Sequence, residues 1–390
     1  MKYAADNGIL TVRLDGKIDS TNASDIGEQL QTLLAQTPHT SLLIDVRELM
    51  YLSSAGLRMI LGVRKQETEM RIVNASAEVY DIFEMTGFTE MLPIERAYRT
   101  LSVEGCEVIG HGAKGTVYRY NEDTAVKVYK KKDSLPAIRR ERELARRAFV
   151  LDIPTAISYE IVRVGDTYGS VFELINAESY STLILKHPER FDDYVAEYAA
   201  LLQKIHRTKV RREDMPDVRV YACSWIECAA PYLPQEDVEK LQRLIDDTPD
   251  TQTMLHCDYH TNNVLLQNGE TILIDMDTLS HGHPIFELAN IYLAHIGFGE
   301  DDPTVVERFL GLPYETARRI WDTFLPRYLG TDEPLVLADV ERKAKLLASV
   351  RLLRHTVRRM KEQTETERTV IERCCRDIHM LLQQIGTLSF

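Results

Sequence analysis

The chain has 390 residues, of which 44% are hydrophobic and 27% charged, with a net charge of −13. The length fits about two to three domains rather than one, the composition is that of a soluble globular protein, and the acidic balance disfavours a general binder of nucleic acid or of anionic membranes. No apolar run reaches the length of a membrane span, the first residues lack the apolar core of a signal peptide, and the six cysteines show no C-x-x-C spacing, so the expectation is a cytoplasmic protein with reduced thiols.

Residues 1–100 alternate strand and helix patterns, which argues an α/β layer. Ile9 to Leu14 alternates as a strand and is expected to end at a turn on Asp15-Gly16. Ser20-Thr21-Asn22 offers N-caps for a helix with Ile26, Leu30, Leu33 and Leu34 on one face. Ser41 to Val46 is a short, continuously apolar strand, and Ser53-Ser54-Ala55-Gly56 opens a second helix carrying Leu57, Ile60, Leu61 and Val63. Met70 to Asn74 reads as a further strand, and Ser76 to Met85 as a third helix stopped by Gly87.

The stretch from Ile44 through Leu61, IDVRELMYLSSAGLRMIL, and the later VYDIFEMTGF resemble the core of STAS domains, the anti-sigma-factor antagonists. The resemblance covers the whole first domain and implies a protein partner switched by phosphorylation of a serine at the start of the second helix. Aligned on Gly56-Leu57, that serine is Ser54; Ser53 stands where the family often has Asp, and Ala55 where it often has Ser or Thr. Ser54 also fits a plain helix N-cap, worth about 1 kcal/mol. A helix N-terminus accommodates an added phosphate as well, because its free N–H groups and dipole face the anion.

Residues 101–176 carry a second pattern. After a strand over Cys106 to Ile109 comes Gly110-His111-Gly112-Ala113-Lys114-Gly115-Thr116-Val117, a G-x-G-x-x-G-x-V motif whose glycines let backbone N–H groups approach a phosphate. A strand follows the motif, where a dinucleotide-binding fold would have a helix. That strand, Ala125-Val126-Lys127-Val128, places a lysine among apolar neighbours; such a lysine either serves phosphate or is an edge-strand charge. The next helix starts at Ser134 and Pro136 and ends before Asp152-Ile153-Pro154, with Ile138, Glu141, Ala145 and Ala148 on one face. Glu141 is therefore the inward carboxylate available to Lys127, and Glu143 a surface charge. Tyr159 to Val164 and Thr167 to Ile175 form a hairpin around Gly165-Asp166.

Residues 177–390 contain the stretch that organises the chain, Leu255 to Leu266 (LHCDYHTNNVLL), followed by Ile272-Leu273-Ile274-Asp275. H-x-D-x-x-x-x-N followed by I-D supplies what phosphoryl transfer needs: a carboxylate beside the attacking hydroxyl, and an Asn and an Asp able to hold Mg²⁺. With H-x-D-x-H and the later GHPIFELA, it resembles the aminoglycoside phosphotransferase and choline kinase family more closely than eukaryotic protein kinases. The resemblance implies a bilobal kinase-like α+β fold, with a small β-rich nucleotide lobe and a large, mainly helical lobe. It implies ATP and Mg²⁺ as cofactors, Asp258 as the residue that receives the hydroxyl proton, Asn263 and Asp275 as the Mg²⁺ ligands, and Lys127 with Glu141 on the phosphates. Gly110, Gly112 and Gly115 would cover the nucleotide, and backbone groups of Glu173 and Ile175 would meet its base. Cys257 and Asn262 replace frequent glycines of the family, and Glu287 a usual Asp. Asp277 is a candidate substrate contact, and His206, His256 and His260 read as packing or bracing residues. Helices are expected from Tyr194 to Ile205, Val238 to Ile245, from Pro313 onward, from Val340 to Glu365, and then to Ile385.

Together these readings describe a STAS-like domain fused to a phosphotransferase acting on a hydroxyl of a small molecule, with a protein partner for the first domain. The alternatives are a protein kinase in an anti-sigma-type signalling pathway and a nucleotide-binding pseudokinase scaffold. The presence of Lys127, Asp258, Asn263 and Asp275 argues against the second.

Overall fold

The computed structural model describes residues 2–112, 114–360 and 364–390. The chain divides into two compact units, Met1–Ser102 with Ile161–Asp166, and Val103–Glu160 with Thr167–Phe390.

The first unit contains β1 (Lys2–Asp6), β2 (Ile9–Ile18), α1 (Ala23–Gln36), β3 (Ser41–Leu52), α2 (Ser54–Arg64), β4 (Met70–Ala75), α3 (Ala77–Met85), α4 (Phe88–Met91) and β5 (Ile94–Arg96). The strands form one sheet in the order β1-β2-β3-β4-β5, antiparallel between β1 and β2 and parallel elsewhere. Leu10, Val12, Ile44, Ile72, Ile60 and Phe83 lie in its core. The first hairpin turns on Asn7 (φ 48°) and Gly8 (φ 80°), both left-handed, as a two-residue hairpin loop requires.

Three expectations are corrected here. Asp15-Gly16 is no turn: β2 runs through it at Gly16 φ 70°, while the register shifts on either side put the extra residues on β3. Asn22 does not cap α1 through its side chain, which turns back to Lys17 O and Asp19 N instead. The cap of α2 is Ser53, not Ser54: the Ser53 hydroxyl accepts from Ala55 N at 3.2 Å and Gly56 N at 3.4 Å, because Ser53 holds the extended backbone of an N-cap while Ser54 is already helical. Ser54 is exposed.

The chain continues with β6 (Glu107–His111), β7 (Gly115–Arg119), β8 (Thr124–Tyr129), α5 (Leu135–Val150), β9 (Ser158–Val164) and β10 (Thr167–Glu173), all in the second unit except the part of β9 from Ile161 on. These strands make a sheet ordered β6-β7-β8-β10-β9. Helix α5 buries Ile138, Glu141, Leu144, Ala145 and Ala148, so its inward face is the one its spacing predicts. Then follow β11 (Glu178–Ser179), α6 (Tyr180–Lys186), α7 (Phe191–Arg207), α8 (Val218–Ala229), α9 (Gln235–Asp246), β12 (Thr253–Leu255), β13 (Val264–Gln267), β14 (Glu270–Leu273), β15 (Ser280–Gly282), α10 (Ile285–His295), α11 (Thr304–Leu310), α12 (Tyr314–Leu329), α13 (Pro334–Arg359) and α14 (Glu365–Leu382). The unit is thus a small sheet-rich lobe followed by a large, mainly helical one. The long helix expected to reach Glu365 instead stops at Arg359, with Met360 extended, and α14 restarts under a capping box of Thr364 and Glu367. Ala113 of the glycine motif and residues 361–363 lie outside the described residues. Among the described residues no helix is long and apolar enough to cross a membrane.

Removal of the Ser53 cap is expected to destabilise the first unit by about 1 kcal/mol in Ser53→Ala, whereas Ser54→Ala falls within about 0.5 kcal/mol. Paired denaturant melts check this, and equal losses in the two variants contradict the assignment of the cap.

Candidate active site

Lys127 and Tyr129 alternate with Val128 on β8 and so share one face of the sheet. The Lys127 ammonium lies 2.9 Å from Glu141 Oε1 and 2.6 Å from Asp275 Oδ1. Burial opposes its charge, but the two carboxylates outweigh burial and hold Lys127 above its ordinary range, as Lys127 in turn holds Asp275 below its own. Tyr129, which the sequence reading passed over, donates to the second oxygen of Glu141 at 3.0 Å and has Ser170 Oγ at 3.3 Å. Its signal was available: a residue two after the lysine faces the same way. Glu143 pairs with Arg147 one turn along α5, an exposed ion pair, as the spacing indicated.

Gly110, Gly112 and Gly115 sit at the β6–β7 turn, with Gly112 N–H donating to Gly115 O at 2.8 Å. A Cβ on Gly115 would come within 2.5 Å of Val128 O, so this glycine is demanded by the close approach of β7 and β8. Lys114 from the same turn pairs with Asp277, the residue two beyond Asp275. Glu173 ends β10, where its carboxylate accepts from Tyr159 OH at 3.3 Å. The next N–H, of Leu174, is taken by Asp123 O, and Ile175 lies just beyond the strand.

The loop after β12 carries Asp258 and Asn263. Asn263 Nδ2 donates to Asp258 O at 2.9 Å, and Ile274 N donates to Asn263 O at 3.0 Å, which seats Asn263 beside the segment that bears Asp275. The amide nitrogen being committed, Asn263 keeps its side-chain oxygen as an acceptor. This oxygen and the Asp275 carboxylate are hard donors of the kind that could hold Mg²⁺. Asp258 is partly exposed, with His260 Nε2 3.8 Å from its Oδ2. Burial pushes the His260 imidazole below its ordinary range.

Two non-glycine residues of the site have left-handed backbone, Cys257 at φ 64° and Asp275 at φ 59°. Such conformations cost on the order of 1–3 kcal/mol each and persist where surroundings over-determine them. At Cys257 the surroundings are explicit. Glu287, fully buried, accepts from His256 N at 2.5 Å and Cys257 N at 2.9 Å. Cys257 O accepts from Asn290 Nδ2 at 2.9 Å and Arg351 Nη1 at 3.3 Å. Burial works against the Glu287 charge, but His206 and His256 nearby keep the carboxyl below its ordinary range. His256 is pinned through Nε2 to Ile274 O at 3.0 Å and so braces the loop, while His206 is packed against α12 through Nδ1 to Tyr328 OH at 2.7 Å.

With this geometry in hand, the sequence profile of the phosphotransferase enzyme family matches residues 105–321, more than half of the chain. The chain belongs to the phosphotransferase enzyme family. It carries in addition an N-terminal STAS domain, whose profile matches residues 1–101. The candidate anti-sigma factor antagonist BtrV of Bordetella bronchiseptica is 34% identical over 103 residues, 24% of this chain and 85% of that protein. Among solved structures, an ADP-bound aminoglycoside phosphotransferase is 16% identical with a TM-score of 0.44, covering 80% of this chain and 99% of that one. A choline/ethanolamine kinase family protein from Mesorhizobium loti is 12% identical with a TM-score of 0.44, covering 71% and 88%.

The second unit also holds histidines that burial pushes down to about 4, His283 and His295, and His355, where neighbouring arginines add to burial. They are neutral in the folded chain, and the unfolded chain binds their protons first, from about pH 6.5. The stability they allow is therefore complete above about pH 6.5 and is lost as pH falls towards 4. The melting temperature is expected to be lower at pH 5 than at pH 7, and a level or higher value contradicts the burial of neutral imidazoles.

Proposed function

We propose that the protein is a cytoplasmic ATP- and Mg²⁺-dependent phosphotransferase that phosphorylates a hydroxyl of a small molecule, under the control of a STAS domain that binds a protein partner. The observation that carries this reading is Lys127 held between Glu141 and Asp275, with Asn263 and Asp258 tied into the same loop system.

In this reading Lys127, kept in place by Glu141, neutralises nucleotide phosphates as they enter. The turn of Gly110, Gly112 and Gly115 covers them, and backbone groups at Glu173 and Ile175 meet the base. Asn263 and Asp275 would hold Mg²⁺, which when bound supplies charge neutralisation on the phosphates. The acceptor oxygen forms a bond to the γ-phosphorus, the bond to the bridging oxygen breaks with its electron pair leaving on ADP, and the hydroxyl proton passes to Asp258. Catalysis is then mainly positioning and electrostatic stabilisation. Ser54, exposed at the first position of α2, is the site at which a partner kinase would act.

Asp258→Asn keeps the shape of the loop and removes the proton acceptor, so ATP should still bind while turnover drops by about two orders of magnitude or more. Asp275→Ala should abolish the Mg²⁺-dependent thermal shift given by a non-hydrolysable ATP analogue, since ligand affinity is visible as stability. ADP release and melting curves check the pair; near-normal turnover of the first variant, or an undiminished shift in the second, contradicts the assigned roles.

A phosphate on Ser54 adds about −1.5 to −2 charge at a helix N-terminus that tolerates it, but a docked partner surface would have to desolvate that charge. Ser54→Asp is accordingly expected to leave the melting temperature unchanged and to alter partner capture or the rate of ADP release. Wild-type behaviour in both assays reduces Ser54 to a solvated first-turn residue.

A further inference from the structure

Within the second unit, a closed circuit of side chains starts and ends at the catalytic loop. Asp258 leads to His260 at 3.8 Å. The His260 ring meets Phe309 edge-on with centroids 4.9 Å apart, Phe309 meets Phe298 at 5.4 Å, and Phe298 meets His355 at 5.5 Å. One turn back along α13, Arg351 closes the circuit on Cys257 O, the residue before Asp258, and its guanidinium lies over the Trp225 ring at 5.6 Å. A chain of rings thus leads from His260, beside Asp258, to α13, and α13 returns through Arg351 to the residue before Asp258.

Beyond Glu341 the charge on that helix has one sign. Arg351, Arg354, His355, Arg358 and Arg359 stand at i, i+3, i+4, i+7 and i+8, which is a single face. At 1.5 Å per residue they form a ladder of about 12 Å leading away from the loop. Among the described residues none of the four arginines is paired with a carboxylate; Arg351 bonds a backbone carbonyl, and Arg354 keeps a buried Nε without a hydrogen-bond partner. Carboxylates of the neighbouring elements are engaged elsewhere. Glu300 takes Lys345 at 3.0 Å and Arg373 at 2.5 Å, Asp301 takes Arg373 at 2.8 Å, Asp377 takes Lys345 at 3.3 Å, and Asp302 takes Arg308 at 3.6 Å. Glu227 of α8 and Glu307 of α11 are exposed to solvent. Like charges at this spacing repel, and a cationic acceptor would add to the repulsion. An oxyanion would relieve it, and the planar guanidinium fork matches phosphate or carboxylate with two parallel hydrogen bonds.

We propose that the acceptor is a hydroxyl compound that also bears a phosphate or carboxylate group, and that Arg351, Arg354 and Arg358 bind this anion while the hydroxyl meets Asp258. The assignment rests on the reading of Asp258 as the residue beside the reacting hydroxyl. His355, neutral at physiological pH, contributes a ring edge and a hydrogen-bonding nitrogen between the arginines. An amino sugar or a quaternary amine would meet the arginine ladder on this face, so the site selects against cationic acceptors.

The experiment uses the full chain in saturating ADP and Mg²⁺, so that anions are excluded from the nucleotide site. Titration calorimetry compares glycerol 3-phosphate and glycerate with glycerol, choline and kanamycin. The anionic probes are expected to bind at least about tenfold more tightly than the neutral and cationic ones. The double variant Arg354→Glu, Arg358→Glu should lose that binding by about tenfold or more while binding ADP as the wild type does, which shows that it is folded. The double lysine variant should retain part of it. Choline or kanamycin binding as tightly as the anions, anion binding undiminished in the glutamate variant, or no binding of either anionic probe overturns the proposal. The same probes are then offered with ATP: binding without ADP release leaves the anion site standing and strikes the phosphotransfer reading alone.

Discussion

Lys127 is the cation on which the site depends. Its ammonium is shared by a carboxylate from α5 and one from the segment after β14, so three elements far apart in sequence are held to one point. Removing any one partner would leave charge with incomplete compensation, which is far costlier than losing an exposed pair. The arrangement also explains why a carboxylate can stand in a left-handed backbone at Asp275: the ion pair fixes the side chain while Ile274 N–H fixes the chain just before it. Tyr129 completes the set by occupying the second oxygen of Glu141, which leaves the first for Lys127.

A second constraint works from beneath the loop. The buried Glu287 satisfies two successive N–H groups that the turn at Cys257 would otherwise leave unpaired. Where the family resemblance leads one to expect Asp, the longer Glu still reaches both. Cys257 fits the same logic: the φ of 64° found there is the conformation that glycine adopts without cost. A side chain at this position is sustained by the hydrogen bonds that Glu287, Asn290 and Arg351 make to its own backbone.

What the sequence disclosed follows from what short-range pattern can encode. The inward face of α5 was legible because Ile138, Glu141, Ala145 and Ala148 repeat at helical spacing, and the STAS and kinase-like folds were legible from ordered motifs. Helix caps were less legible, since Ser53 and Ser54 have the same chemistry and only the backbone angle at each decides which one caps α2. Asp15-Gly16 looks like a turn because a turn also uses a glycine at positive φ, and only the pairing of β2 along β3 shows that the strand continues. Gly115 carries a demand that the motif alone does not show: close approach of two strands and close approach of a phosphate ask for the same missing Cβ. Glu287 and Tyr129 acquire their roles from contacts across long sequence separations, which no local pattern carries.

Net charge was the least informative quantity of all, and the reason is one of length scale. A total of −13 describes the whole surface, while a ligand responds to charges within roughly a Debye length, about 8 Å at physiological ionic strength. The carboxylates of the catalytic lobe are unevenly distributed. Several are locked with Arg373, Lys345 and Lys127 into compact clusters that project little field. Arg351, Arg354, Arg358 and Arg359 of α13, by contrast, stand without carboxylate partners among the described residues, Arg351 over the Trp225 ring and Arg358 and Arg359 exposed. An acidic protein can thus present a local basic face, here on a helix whose sequence shows no catalytic motif. Side-chain charge along such a helix face can change without disturbing the hydrogen bonds that hold the loop of Cys257, Asp258 and Asn263.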